Sequence, residues 1–256
     1  MAFDLQSIAR TKRARPPKIV IAGPGKIGKT TFAASAPNSI GILTEEGADA
    51  IDALAFPLAL TLSDVYQAIS TLLEGDHPFQ YVWLDSLDWL EPMVQQHVCQ
   101  INGWKNIEAP GFGKGYMAAS DEWRNVLQGF EALRAQRNMG VILICHDKIK
   151  HFDSPTDEGY DRYTLKLHDR ASALVEEWAD IIGHACHETY TRRIETVDKT
   201  KEAKAATTGA RLLRVEPNPV HMGGNRFGLK DGPLSWDAFA ASLAAAQAPT
   251  QQGIQQ

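Results

Sequence analysis

The run Gly23-Pro24-Gly25-Lys26-Ile27-Gly28-Lys29-Thr30, followed by Thr31, carries the spacing G-x-x-x-x-G-K-[ST]. That spacing suits the holding of phosphate. Glycines at 23, 25 and 28 let the backbone curl so that successive N–H groups converge on one anion. Lys29 then reaches toward the β- and γ-phosphates of a nucleoside triphosphate, and the Thr30 hydroxyl is placed to ligate Mg²⁺. The apolar stretch Ile19-Val20-Ile21-Ala22 ahead of the loop reads as a buried strand, and residues 29–35 read as a helix opening on the site.

Four other positions could serve chemistry on such a phosphate. Thr44-Glu45-Glu46-Gly47 closes a second apolar run, residues 40–43, and carboxylates at a strand end are placed to activate water or else form a solvated turn. Glu46 is the better candidate base and Glu45 the lesser one. Tyr81-Val82-Trp83-Leu84-Asp85 is an apolar strand ending in an acid, the pattern that holds Mg²⁺ opposite the phosphate-loop hydroxyl. His146 ends the apolar run 141–145, where an imidazole either senses the γ-phosphate or serves the structure. Arg226 lies in Gly-Gly-Asn-Arg-Phe-Gly, a glycine-flanked loop from which a guanidinium could reach the γ-phosphate of a neighbouring subunit. His184, Cys186 and His187 make no metal site, because strand alternation puts His187 on the face opposite the other two and no second ligand pair follows.

Two stretches mix basic and aromatic residues. Residues 104–120 hold Lys105, Lys114 and Tyr116 among glycines and read as a flexible loop; residues 148–170 hold Lys148, Lys150, Arg162 and Lys166 and read as a mobile loop or a solvated hairpin. Such surfaces can stack bases and neutralise phosphates. Helical spacing appears at 63–73 with Ser63 as cap, at 86–100, 121–138 and 171–179, and at 235–247. Strands are expected at 180–186, 189–196 and 210–216, with the charged residues 198–208 as an exposed turn. The domain plan is a basic arm over 1–17 (Lys12, Arg13, Arg15, then Pro16-Pro17), a core over 18–247 and a disordered tail over 248–256.

Composition narrows the class. With 256 residues, 44% of them hydrophobic and 22% charged, the chain can build one sizeable core. No apolar run approaches the roughly 20 residues that span a bilayer, and the first residues lack a secretory segment. Three scattered cysteines point to reduced thiols, hence a cytoplasmic setting with no membrane partner. A net charge of −5 argues against a broadly basic duplex-binding face and leaves only local basic patches for nucleic acid.

Taken in order, GPGKIGKT, ILTEEGAD, YVWLDSL, VILICHDK and NRFGL give a chain that resembles the RecA-like ATPases over residues 18–243. More closely, it resembles the short phage-encoded AAA-type nucleotide-binding proteins, which include ATP-dependent single-strand annealing proteins of phage recombination. The resemblance implies an α/β fold: a RecA-like P-loop NTPase core with a central, mostly parallel sheet flanked by helices. It implies ATP and Mg²⁺ as cofactors, Gly23 to Thr31 as the nucleotide loop, and Thr30 and Asp85 on the metal. It implies a water-activating glutamate at Glu46, a γ-phosphate sensor at His146 and a basic finger at Arg226. Residues 106–117 and 148–167 correspond to the family's two DNA-binding loops. Single-stranded DNA, further copies of the chain in a ring or filament, and a single-strand-binding protein are the implied partners. The expected function is an ATP-dependent recombination protein on single-stranded DNA; the absence of flanking domains favours annealing or filament formation over strand exchange. The alternative is a nucleotide-dependent switch or loader in replication with no DNA contact of its own. A metabolic kinase would need an acceptor pocket and lid that the sequence does not show.

Overall fold

The computed structural model describes residues 15–154, 158–195 and 201–248. The first fourteen residues of the expected arm and residues 249–256 of the expected tail lie outside the described residues. The core strands are β1 (Lys18–Gly23), β2 (Ser39–Leu43), β3 (Tyr81–Asp85), β4 (Gly140–Phe152) and β6 (Ile181–Glu195). Their buried parts are almost unbroken apolar runs, as parallel strands covered on both faces require. β5 (Tyr160–Leu165), β7 (Lys201–Arg214), β8 (Gly224–Asn225) and β9 (Gly232–Pro233) complete the sheet. Its order is β2-β3-β4-β1-β6-β7-β9, with β5 on β4 and β8 on β6. The pairs from β2 through β6 along that path are parallel; β7 is antiparallel to β6.

Alternation divides the core into two layers. Val20 and Ala22 face the helices α2 (Leu62–Glu74), α3 (Leu87–Asn102), α4 (Lys114–Arg137) and α5 (Asp169–Trp178), while Ile19 and Ile21 face α1 (Lys29–Ala34) and α6 (Trp236–Gln247). Both covers exclude water: Val65, Leu90, Trp123 and Val175 are buried on one side, and Phe32, Trp236 and Phe239 on the other. The register places functional ends side by side. Gly23 pairs with His146, Leu43 with Asp85, and Asp85 with Ile144, so the phosphate loop, the β3 acid and the histidine share the edge where the parallel strands end. Among the described residues no helix is long and apolar enough to cross a membrane.

Several expected boundaries move. β4 does not stop at His146 but runs on to Phe152 and pairs antiparallel with β5, so of the two expectations for this stretch, mobile loop or hairpin, the structure has the hairpin. The ladder from Asp147–Leu165 to Phe152–Tyr160 satisfies the backbone of this polar stretch without burying it in the core. α4 starts at Lys114, seven residues before the expected Asp121, which makes Lys114 and Tyr116 helical. Gly115 is there for close packing: a Cβ would stand 1.8 Å from the Ile107 carbonyl oxygen. Thr61, not Ser63, caps α2, through a reciprocal pair with Asp64. The two strands expected over 180–196 are one, with a register shift between His187 and Thr189, and β7 begins at Lys201 inside the stretch expected as a turn.

Gly41 marks a close approach between neighbouring strands. It stands opposite Trp83 in the register, and a Cβ there would lie 2.4 Å from the indole ring, whose residue is fully buried. Gly41→Ala should therefore lower unfolding free energy by about 1–3 kcal/mol, the usual cost of overpacking, as read from urea unfolding curves. An unchanged midpoint would show that the Trp83 ring has room to move.

Candidate active site

The loop between β1 and α1 curls as its glycines allow, with Gly28 at φ 107° and Lys26 also left-handed at φ 65°. The loop is held from outside as well, because Arg211 on β7 donates from Nη1 to the Ile27 carbonyl at 3.1 Å. The same guanidinium stands 2.6 Å from where a Gly28 Cβ would be. Lys29 is buried, and its Nζ donates to the carbonyls of Gly23 at 2.8 Å and Pro24 at 2.9 Å. Burial pushes the ammonium's pKa down, against the attraction of Asp85 and Asp147.

Thr30 and Asp85 meet across the sheet edge: the Thr30 hydroxyl donates to Asp85 Oδ2 at 2.6 Å. Burial raises the Asp85 pKa and Glu45 adds repulsion, while Thr30, Lys29 and His146 work the other way. Next in sequence, Ser86 is fully buried and organises the neighbouring strand end. Its N–H donates to Thr44 Oγ1 at 2.7 Å, the Thr44 hydroxyl donates to its carbonyl at 2.8 Å, and its own hydroxyl donates to Glu45 Oε1 at 2.7 Å. Glu45 is thereby tied down. Glu46 is exposed and has no hydrogen bond or ion pair among the described residues. Both glutamates line one cleft of about 430 Å³ together with Gly25, Lys29, Thr30, Asp85 and His146.

His146 leans over the loop, its Nε2 being the nearest atom, at 3.8 Å, to the point where a Gly25 Cβ would stand. Its other nitrogen, Nδ1, lies 3.0 Å from Asp88 Oδ2, and its backbone N–H donates to Asp88 Oδ1 at 3.0 Å. Burial opposes the charge on Asp88, but the hydrogen bonds from the His146 ring and backbone win and hold its pKa well below the usual carboxylate range.

Six expected residues thus converge on one cleft: Lys29, Thr30, Glu45, Glu46, Asp85 and His146. Arg226 is elsewhere. It pairs with Asp180 at 3.2 Å and donates to the Glu177 carbonyl at 3.0 Å, just before β6 begins, at the opposite end of the sheet from its own phosphate loop. The basic residues divide in two. Lys105 and Lys114 are exposed, near Tyr116, whose ring stacks on His168 at 4.1 Å. On the hairpin, Lys148 donates to the Leu167 carbonyl, Lys150 pairs with Asp169 and Lys166 with Asp88, beside Arg162. Sequence reasoning passed over Asp88, Ser86 and Arg211. Asp88 alone left a trace, as a second acid three residues beyond Asp85 in Asp85-Ser86-Leu87-Asp88.

With a phosphate loop, a hydroxyl–carboxylate pair and an acid-lined cleft on one edge, the match to a family model agrees with the geometry. The AAA domain family matches residues 15–227. The chain belongs to that family. As an AAA domain it is a nucleotide-binding P-loop NTPase. Among solved structures it is similar to the RadB recombinase, at 16% identity and a TM-score of 0.40, over 78% of this chain and 88% of that one. No curated protein matches it.

The raised pKa of Asp85 yields a stability test for this AAA domain. A carboxyl whose folded pKa lies above its unfolded value costs stability once it ionises, so the penalty is absent below the unfolded pKa of about 3.9 and grows as pH rises through the folded value. In nucleotide-free, metal-free protein, Asp85→Asn should therefore melt higher than wild type at pH 7, with the gap closing toward pH 4. A lower melting temperature at pH 7 would contradict the burial argument.

Proposed function

We propose that this AAA domain is an ATP-dependent recombination protein acting on single-stranded DNA, like the phage annealing proteins it resembles in sequence, with hydrolysis at the cleft between the phosphate loop and Glu45-Glu46. The observation that carries the reading is the continuity of β4. One strand bears His146 over the phosphate loop and then Lys148 and Lys150 on the hairpin, with Ile149, Phe152 and Tyr163 exposed among them. Cations interleaved with exposed apolar and aromatic side chains suit a flexible polyanion with stackable bases.

Within the cleft, Lys29 exchanges its two carbonyl partners for the β- and γ-phosphate oxygens. The Thr30 hydroxyl and the Asp85 carboxylate are an all-oxygen pair that suits Mg²⁺, and they would hold it. Bound there, the ion would neutralise charge on the phosphates. Glu46 takes the proton from the attacking water, since Glu45 is already bound to Ser86. His146 contacts the γ-phosphate through Nε2, the ring nitrogen nearest the loop. Arg226 acts only on a neighbour's nucleotide, in a head-to-tail ring or filament that sets the Asp180 end of one copy against the phosphate-loop end of the next.

The second reading, a switch or loader without DNA contact, is favoured by a specific feature: acids face the basic residues of the hairpin, with Lys150 paired to Asp169 and His151 Nδ1 3.1 Å from Asp161, in a chain of net charge −5.

ATPase rates with and without single-stranded DNA, at low and moderate salt, separate the two. The recombination reading expects a strong, salt-sensitive stimulation; hydrolysis indifferent to DNA supports the switch or loader. Glu46→Gln should keep nucleotide binding while slowing turnover by about 10²- to 10⁴-fold, the usual share of a general base. A larger loss in Glu45→Gln would move the base to Glu45. Lys29→Ala should lose hydrolysis and bind nucleotide more weakly.

A further inference from the structure

We propose that Asp88 is the positioning residue of the nucleotide site, fixing the His146 ring with Nδ1 inward and Nε2 toward the phosphate loop; this rests on the reading of His146 as the group that contacts the γ-phosphate. The geometry is redundant. Asp88 holds the backbone of His146 through its N–H and the ring through Nδ1, which lies 3.1 and 3.0 Å from the two carboxylate oxygens. A carboxylate with lowered pKa accepts and does not donate, so Nδ1 carries the hydrogen and Nε2 is the nitrogen left facing the phosphate loop. A triphosphate that arrives in the loop meets Nε2 without rotation of the ring. An unanchored imidazole would have to be ordered first, at a cost in entropy.

The setting of Asp88 supports this role over a helix-capping one. It stands in the first turn of α3, where an acid has a generic electrostatic benefit, yet its hydrogen bonds cross 58 positions of sequence to β4. Its side chain is only 4% exposed, so water does not compete for the carboxylate. The Lys166 ammonium stands 3.5 Å from Oδ2, the oxygen that His146 Nδ1 also approaches, and adds a positive charge beside the carboxylate. An aspartate that holds the backbone and the ring of His146 at once is a fixed bracket for that ring.

The test is a double-mutant cycle in the full-length protein, reading ATPase kcat and KM together with thermal melting. His146→Gln should lower kcat about 100-fold, as for loss of one transition-state donor. Asp88→Asn should lower it about 10-fold, as for loss of a carboxylate that orients a functional histidine, with a smaller change in KM. The double variant should be no slower than His146→Gln alone. If Asp88→Asn costs the same in both backgrounds, or nothing while His146→Gln is slow, Asp88 does not act through His146 and the proposal falls. If His146→Gln turns over at the wild-type rate, it is the reading of His146 that fails first. A measurement on unmutated protein guards against a variant that does not fold: the nitrogen NMR shifts of His146 should report the Nδ1–H tautomer, and an Nε2–H tautomer would overturn the proposal.

Discussion

An ammonium at 5% exposure must find oxygens, and Lys29 finds those of its own loop, Gly23 and Pro24. Much of the surrounding architecture serves that arrangement. The loop has to double back on itself, which uses the left-handed residues Lys26 and Gly28 and the brace from Arg211. β1 has to lie between β4 and β6, so that acids from neighbouring strand ends set the field around the cation. Neutral carbonyls are poor partners for a desolvated cation, whereas phosphate oxygens carry charge. Burial depresses the Lys29 pKa and leaves the ammonium better matched by charged oxygens than by the carbonyls it now holds.

The carboxylates around this cation differ by what each one touches. Asp85 shares its oxygen with the Thr30 hydroxyl and is buried enough that its charge is costly, which suits a group completed by a cation. Asp88, nearly as close in sequence, is supplied with donors from His146 and Lys166 and keeps its charge readily. Glu45 is bound to Ser86 and Glu46 is free in the cleft. Four acids within one edge thus have separate environments, and a division of work among them follows from hydrogen bonding more than from distance.

The hairpin adds a mechanical consequence. β4 is a single strand from the sheet interior to Phe152, clamped by β1 and β3 over its first half and by β5 over its second. The hairpin is therefore joined to His146 by continuous backbone and ladder hydrogen bonds, not by a loose loop. The stack of Tyr116 on His168 ties the start of α4 to the approach to α5, so the two basic stretches are also in contact with each other.

Legibility in the sequence follows the range of the interaction. The phosphate loop and the strands around it were readable because their signals are local: contiguous glycines with Lys29 and Thr30, and apolar runs ending in Asp85 or His146. The start of α4 was not, because Gly115 looks like a breaker until Ile107 is seen to pack against it. The second half of β4 was hidden in the same way, since Asp147-Lys148-Ile149-Lys150-His151 has no apolar face and becomes a strand only when β5 returns to pair with it. Arg226 was legible as an unusual arginine, but its partner Asp180 lies 46 positions away, and only the fold reveals that it stands at the far end of the sheet. Asp88 is the sharpest case. Its meaning comes wholly from a residue 58 positions on, and no spacing within α3 distinguishes an acid that decorates a helix from one that aims a histidine at the phosphate loop.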